Sequence, residues 1–240
     1  PMHHAVRRMW ETVSWVNFKR RFRLAPVAEP CCAIAGTQQA GFLIRDNIRH
    51  RNDILHAYLH AIDNAKHSIL IANAYFLPGI RFGRALYAAA QRGVKITVLL
   101  QGKSDHQLLR YATQTLYATA LQAGIRIFEY EKSFMHAKVA VIDGEWATVG
   151  SSNIDPFSLL MAKEANLVVR DTRFAGELEG SLRNAMVGGA REMVAEELSR
   201  QPLHSRLLRW LAYGLVRAMV GIAGYGHRHW NTAETTPEER

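Results

Sequence analysis

The stretch FMHAKVAVIDGEWATVGSSN, residues 134–153, decides the reading of this chain. It sets His136, Lys138, Asp143, Gly150, Ser151 and Asn153 in the spacing H-x-K-x4-D-x6-G-S-x-N. Alternating apolar positions predict a strand over residues 136–142. Residues two apart on a strand face the same way, so His136 and Lys138 share a face. Asp143-Gly144 is a hairpin turn signal. Residues 146–149 then run back, which brings Gly150, Ser151 and Asn153 near His136. An imidazole, an ammonium, a hydroxyl and an amide converging on one point suit a phosphodiester. The imidazole can attack phosphorus or carry a proton. The ammonium neutralises a non-bridging oxygen, and the hydroxyl and amide donate to it.

Working outward, the chain of 240 residues is long enough for one sizeable core. Its hydrophobic fraction of 48% and charged fraction of 21% belong to a globular protein. The net charge of +9 is unevenly spread. Residues 1–30 hold six Lys/Arg against two acids, residues 31–198 eighteen against sixteen, and residues 199–240 six against three. The excess therefore sits in the flanks, together with Trp10, Trp15, Trp210 and Trp230. Basic residues mixed with Trp fit an anionic membrane surface, a nucleic-acid backbone or plain solvated tails. Cys31 and Cys32 are adjacent, an arrangement that rarely makes a structural disulfide, and no Cys/His metal spacing is present. Reduced thiols point to a cytosolic compartment. The Pro1 start and linker-like opening read as the interior of a longer protein.

Residues 1–38 form a basic, aromatic-rich linker in this reading, with Pro26 and Pro30 restricting the backbone near its end. From there strands and helices alternate. Strands are predicted over residues 41–45, 68–73, 94–100, 125–130 and 166–170. Helices are predicted from Asn52 or Asp53 through Ile62, through residues 82–90 to a stop at Gly93, over residues 105–123 to a stop at Gly124, and over residues 174–198. The pattern predicts an α/β domain over residues 39–198, with helices layered on a mixed sheet. The last segment, 199–240, holds an amphipathic run over residues 203–224. Arg206, Arg209 and Arg217 occupy one sector of it and leucines the rest. Its length suffices to span a bilayer, but the central Arg217 opposes this by roughly 2.5–3.5 kcal/mol. A helix lying in the membrane interface, Arg face toward lipid phosphates, is the expectation. A polar tail follows.

The segment opened above resembles the HKD motif of the phospholipase D superfamily at every defining position. Asn73-Ala74-Tyr75-Phe76-Leu77-Pro78-Gly79, Gln101-Gly102, Phe128-Glu129-Tyr130, residues 148–156 and Glu164-Ala165-Asn166 extend the resemblance to a bacterial cardiolipin synthase, in its C-terminal half. The resemblance implies a phospholipase D-like domain with a mixed, mostly parallel sheet and helices on both faces. It implies a catalytic set of His136, Lys138, Asp143 and Glu164, and phosphate binding by Lys138, Ser151 and Asn153. Glu164, 28 residues after His136, would bond the imidazole and fix its tautomer. Asp143 would be structural or act indirectly through its charge. Tyr75 and Phe76 are either lipid contacts or core aromatics.

Members of this family carry two HKD motifs that face each other, and this chain has one. The missing histidine is expected from an N-terminal half or from a second copy related by a two-fold axis. The implied reaction moves a phosphatidyl group through a phosphohistidine to the head group of phosphatidylglycerol, giving cardiolipin. His136 would be the acid–base member, and no metal or cofactor is required. The implied setting is the cytoplasmic side of a bacterial plasma membrane, with peripheral or interfacial attachment. The rivals are a phospholipase D-like phosphodiesterase or nuclease, and a non-catalytic binding module. The apolar run over residues 203–224 argues against nucleic acid as the partner.

Overall fold

Apolar runs bounded by turn residues set the central strands, and amphipathic runs set the helices that cover them. The computed structural model describes residues 6–7, 10–11, 36–103, 106–199 and 202–222. Most of the expected linker, with Cys31 and Cys32, and the tail after residue 222 lie outside the described residues. In chain order the elements are β1 (Gln39–Arg45), α1 (Asp53–Asn64), β2 (Ser68–Asn73), α2 (Ile80–Gln91), β3 (Lys95–Gln101), α3 (Gln107–Gln114), α4 (Tyr117–Gln122) and β4 (Arg126–Tyr130). There follow β5 (Lys138–Ile142), β6 (Trp146–Gly150), α5 (Pro156–Leu160), β7 (Glu164–Arg170), α6 (Thr172–Gly189), β8 (Ala190–Glu192), α7 (Ala195–Ser199) and α8 (Leu203–Ile222).

The strands form one eight-stranded sheet in the order β1-β7-β6-β5-β2-β3-β4-β8. Ile69 and Ile71 of β2, Ile96 and Val98 of β3, and Ala140 and Ile142 of β5 pack on α1, α2 and α4 on one face. Leu70, Ala72, Leu99 and Val139 pack on Leu178 and Leu182 of α6 on the other. Helices thus cover both faces, and β2 and β5 read as continuous apolar runs because both their faces are buried.

The expectation of a mostly parallel sheet is corrected. Only β2–β3 and β3–β4 are parallel. The pairs β1–β7, β2–β5, β4–β8, β5–β6 and β6–β7 are antiparallel. One reason is local: the tight turn at Asp143-Gly144 joins β5 to β6 as a hairpin, and hairpin connections give antiparallel neighbours. Gly93 at φ 86° and Gly124 at φ 80° end their helices as expected, in the left-handed region that favours glycine.

Two expected helices are broken. The helix over residues 105–123 is α3 and α4. The closing helix stops at Gly189, where a Cβ would lie 2.6 Å from Lys132 Cβ. The chain extends there into β8, and Glu192 pairs Arg126 by two bonds of 2.7 and 2.8 Å. The short α5 has no counterpart in the sequence reading. Asp155 caps it, accepting from Phe157 N–H and Ser158 N–H at 2.8 and 3.0 Å.

α8 packs across α3, burying Val216 against Leu77 and Ala112, and Ala212 is buried on the same helix. Its Arg sector does not form a single outward face. Arg209 is half-buried beside Glu129, Tyr111 and Tyr117, and Arg206 and Arg217 are exposed. Leu203, Leu207, Trp210, Leu211 and Leu215 point outward instead, each at least half exposed. The small residues Ala212 and Val216 permit close approach to α3, and this contact fixes the helix's rotation.

Candidate active site

The ladder brings the site together at one end of the sheet. Asn73 closes β2 and pairs with Lys138, which opens β5. Val139 pairs with Val149, so one step further Lys138 meets Gly150, which in turn pairs with Asn166 at the start of β7. Asn73, Lys138, Gly150 and Asn166 therefore form a row across four strands. This end also carries the carboxyl ends of the parallel strands β2, β3 and β4, the usual ligand-binding edge of such a sheet.

His136 lies just ahead of β5 rather than within it, and its side chain is exposed. Ala74 N–H donates to Ala137 O at 2.9 Å and holds this lead-in against the end of β2. The Tyr75 ring stands edge-on to His136, centroids 6.4 Å apart, and to His106 at 5.2 Å. Lys138 is 8% exposed, and its bond among the described residues is a long one, 3.5 Å to His136 O. Burial lowers its pKa, while the carboxylates of Glu164 and Asp155 hold it up. A partly desolvated ammonium with unspent donors is a strong anion ligand. Asp155, buried beside it, has its pKa raised by burial against the opposing pull of the Ser158 and Phe157 amides and of Lys138.

The loop after β6 is tied down from three sides. Asn73 Oδ1 accepts from Ile154 N–H at 3.2 Å, Leu77 N–H donates to Ile154 O at 2.7 Å, and Asn166 Oδ1 accepts from Ser152 N–H at 3.4 Å. Gly150 is required by close approach: a Cβ there would lie 2.5 Å from Ala165 O and nearer still to the Asn166 side chain. These ties place Asn153 beside the Lys138 row, 9% exposed, with its side-chain oxygen unpaired among the described residues.

Glu164 does not bond His136. It accepts from the Ser151 hydroxyl, and Ser151 Oγ in turn accepts from Ala165 N–H at 3.0 Å. The pairing of Gly150 with Asn166 draws β6 and β7 together at this point and sets Ser151 over Glu164 first. Asp143 is not at the site. It ends the far side of β5, about 17 Å away at strand rise. There it turns at φ 54° and accepts from Lys66, His67 and Ser68 N–H at 2.8 Å each. Burial pushes its pKa up, and those three amides more than offset this, leaving it below the usual carboxylate value. Phe76 is partly buried against Phe82, ring centroids 6.5 Å apart, and bridges to Ile154, so it serves the packing of the site loop.

Three residues escaped the sequence reading. Asn73 and Asn166 appeared only inside longer resemblance blocks. Arg45, 1% exposed, donates to Leu160 O and Ala162 O and so fixes the chain that leads into Glu164. A buried charge at a strand end was the one available signal for Arg45. The cross-strand partners that give Asn73 and Asn166 their place are remote in sequence.

The site and its sheet agree with comparisons to known proteins. A family model described as "Cardiolipin synthase, PLD-like domain" matches residues 58–186. Cardiolipin synthase B from Escherichia coli K12 is 36% identical over 194 residues, 81% of this chain and 47% of that protein. Cardiolipin synthase A from Citrobacter koseri is 32% identical over 162 residues, 67% of this chain and 33% of that protein. The chain spans about half the length, or less, of the curated relatives it matches. Among solved structures, the phospholipase D family member Nuc from Salmonella typhimurium superposes with a TM-score of 0.55 at 21% identity, over 65% of this chain and 99% of Nuc. A phosphatidylserine synthase from Haemophilus influenzae superposes with a TM-score of 0.61 at 10% identity, over 78% of this chain and 47% of that one. These two likenesses bear on the fold. Sequence, fold and motif geometry converge on one assignment: the chain belongs to the cardiolipin synthase PLD-like domain family of the phospholipase D superfamily.

Proposed function

We propose that this chain carries one catalytic half of a phosphatidyltransferase of the cardiolipin synthase type. The observation that carries the reading is the exposed His136 imidazole placed two residues from a desolvated Lys138, at the ligand edge of the sheet. A second histidine, from a preceding half or a second copy of the chain, faces His136 across the substrate. One histidine attacks phosphorus of a phosphatidylglycerol and forms the N–P bond. The other protonates the glycerol oxygen as the P–O bond breaks. The second histidine then takes the proton of an incoming phosphatidylglycerol hydroxyl, whose oxygen displaces the first imidazole and yields cardiolipin. His136 is the acid–base member. Lys138 and Asn153 hold the non-bridging oxygens as charge builds on them, while the Ser151 hydroxyl, expected there from the motif, is committed to Glu164. Glu164 is a positioning residue that acts through Ser151 and through its field on Lys138. Asp143 holds the hairpin.

The setting is the plasma membrane surface, on its cytoplasmic side. Among the described residues no helix is long and apolar enough to cross a membrane. α8 exposes Trp210 and a row of leucines beside Arg206 and Arg217, a composition suited to lying in the interface. The test is a product assay on the whole protein in phosphatidylglycerol vesicles. Cardiolipin with free glycerol supports the reading. Phosphatidic acid alone would make the protein a hydrolase, and cleavage of DNA without turnover of lipid would make it a nuclease.

A further inference from the structure

Beneath α8 lies a cavity of about 270 Å³ whose lining includes Phe76 but not His136, and which the proposed reaction does not use. Its floor is the sheet, at Val98, Leu100 and Ile127, and its walls are Leu86, Leu116 and Ala120. For scale, an apolar cavity of about 150 Å³ stays dry and takes up benzene. The two hydroxyls deep in the lining are already committed. Thr113 donates to Leu109 O at 2.8 Å and Tyr117 to Glu129 at 2.8 Å. The interior therefore suits hydrocarbon, since a polar guest would leave its own groups unpaired. The mouth has the opposite character. Arg84, Tyr87 and Arg217 line the cavity and are exposed, and neither arginine has an ion-pair partner among the described residues. Arg217 and Tyr213 reach the cavity from α8, the helix whose outer side bears the exposed leucines and Trp210.

We propose that this cavity binds one acyl chain of an anionic phospholipid, whose phosphate pairs with Arg84 and Arg217 at the mouth. Apolar depth, cationic rim and a continuous apolar outer surface on the same helix match a lipid drawn partly out of a bilayer. The choice of a phospholipid over another anionic amphiphile rests on the phosphatidyl-transfer reading above. The bound lipid would anchor α8 to the membrane through a cavity whose lining does not include the catalytic histidine.

Gly83 offers a clean probe. It lines the cavity from α2, and nothing lies within 4 Å of the Cβ that a side chain there would carry. Gly83→Leu adds apolar bulk at this wall, its Cβ meeting nothing within 4 Å, and favours the helix. Ala120→Met adds bulk from the opposite wall. The experiment places the whole protein in vesicles of phosphatidylcholine with a phosphatidylglycerol that bears a diazirine at the end of one acyl chain, and maps the photolabel by mass spectrometry. The expected label falls on peptides containing residues 80–87 and 116–123. Displacing about two methylenes of bound chain lowers it about tenfold in either filling variant. Arg84→Ala/Arg217→Ala removes the preference over a phosphatidylcholine probe of the same chain. Undiminished labelling in both filling variants would overturn the proposal, as would label confined to the outer face of α8 around Leu207 and Leu211. Stronger labelling of the same peptides by a diazirine fatty acid would overturn the phospholipid assignment. Failure of the transfer reading itself would show separately, as absence of cardiolipin from the same vesicles.

Discussion

At the scale of single residues, Lys138 and Asp143 make opposite demands on the fold. Burial lowers the Lys138 pKa, so the folded state disfavours its charge at neutral pH. Stability from this group rises as pH climbs from the depressed folded value toward the unfolded value of about 10.4, and the penalty is in force at pH 7. Lys138→Met is therefore expected to keep or raise the thermal midpoint while turnover falls about 10²–10³-fold, the loss typical of removing a charge-stabilising donor. Calorimetry beside a product assay checks both halves.

Asp143 runs the other way. Its folded pKa is depressed, so it stabilises above the unfolded value of about 3.9, and this is lost as pH falls through the folded value. Asn tolerates the same left-handed backbone but cannot accept all three amides. Asp143→Asn should cost about 1–3 kcal/mol at pH 7. Urea midpoints measured down through the acid range should show the gap from wild type closing. The motif residues were legible because their spacing alone identifies them. That spacing does not say where each one ends up. It grouped Asp143 with His136, although a five-residue strand separates them. It also left Glu164 free to reach either Ser151 or His136.

At the scale of elements, β2 and β5 were legible because continuous burial writes an apolar run into the sequence, and β6 because the Asp143-Gly144 turn signal precedes it. The parallel count was not. Strand direction depends on which connections are hairpins, and β1 and β8 pair with strands far from them in the chain. α8 shows a further limit. Its periodicity is plain, but its rotation is set by Ala212 and Val216 on α3 and by buried Glu129, 2% exposed, which gathers Tyr117, Gln114 and Arg110 at 2.8, 3.3 and 3.4 Å with Arg209 nearby. Arg209→Ala withdraws a favourable charge from that carboxylate. Hydrogen exchange should quicken across α8 and α3 and stay unchanged in β2 and β5. Equal protection of α8 in variant and wild type would show that its docking is apolar alone.

At the scale of the whole molecule, one sheet edge gathers Asn73, Lys138, Asn153 and His136, while the helices above it offer an apolar, cation-rimmed surface. In the proposed reaction the first feature handles a phosphodiester, and the second suits the lipid that bears one. Among the described residues the motif supplies one imidazole, His136, and the proposed chemistry requires two. The role of His136 is therefore the point on which everything else depends. The decisive measurement is cardiolipin formed by the whole protein in phosphatidylglycerol vesicles, wild type against His136→Ala. A fall of about 10²–10⁴-fold, with the fold retained by circular dichroism, is the predicted result. Cardiolipin synthesis at the wild-type rate would contradict it.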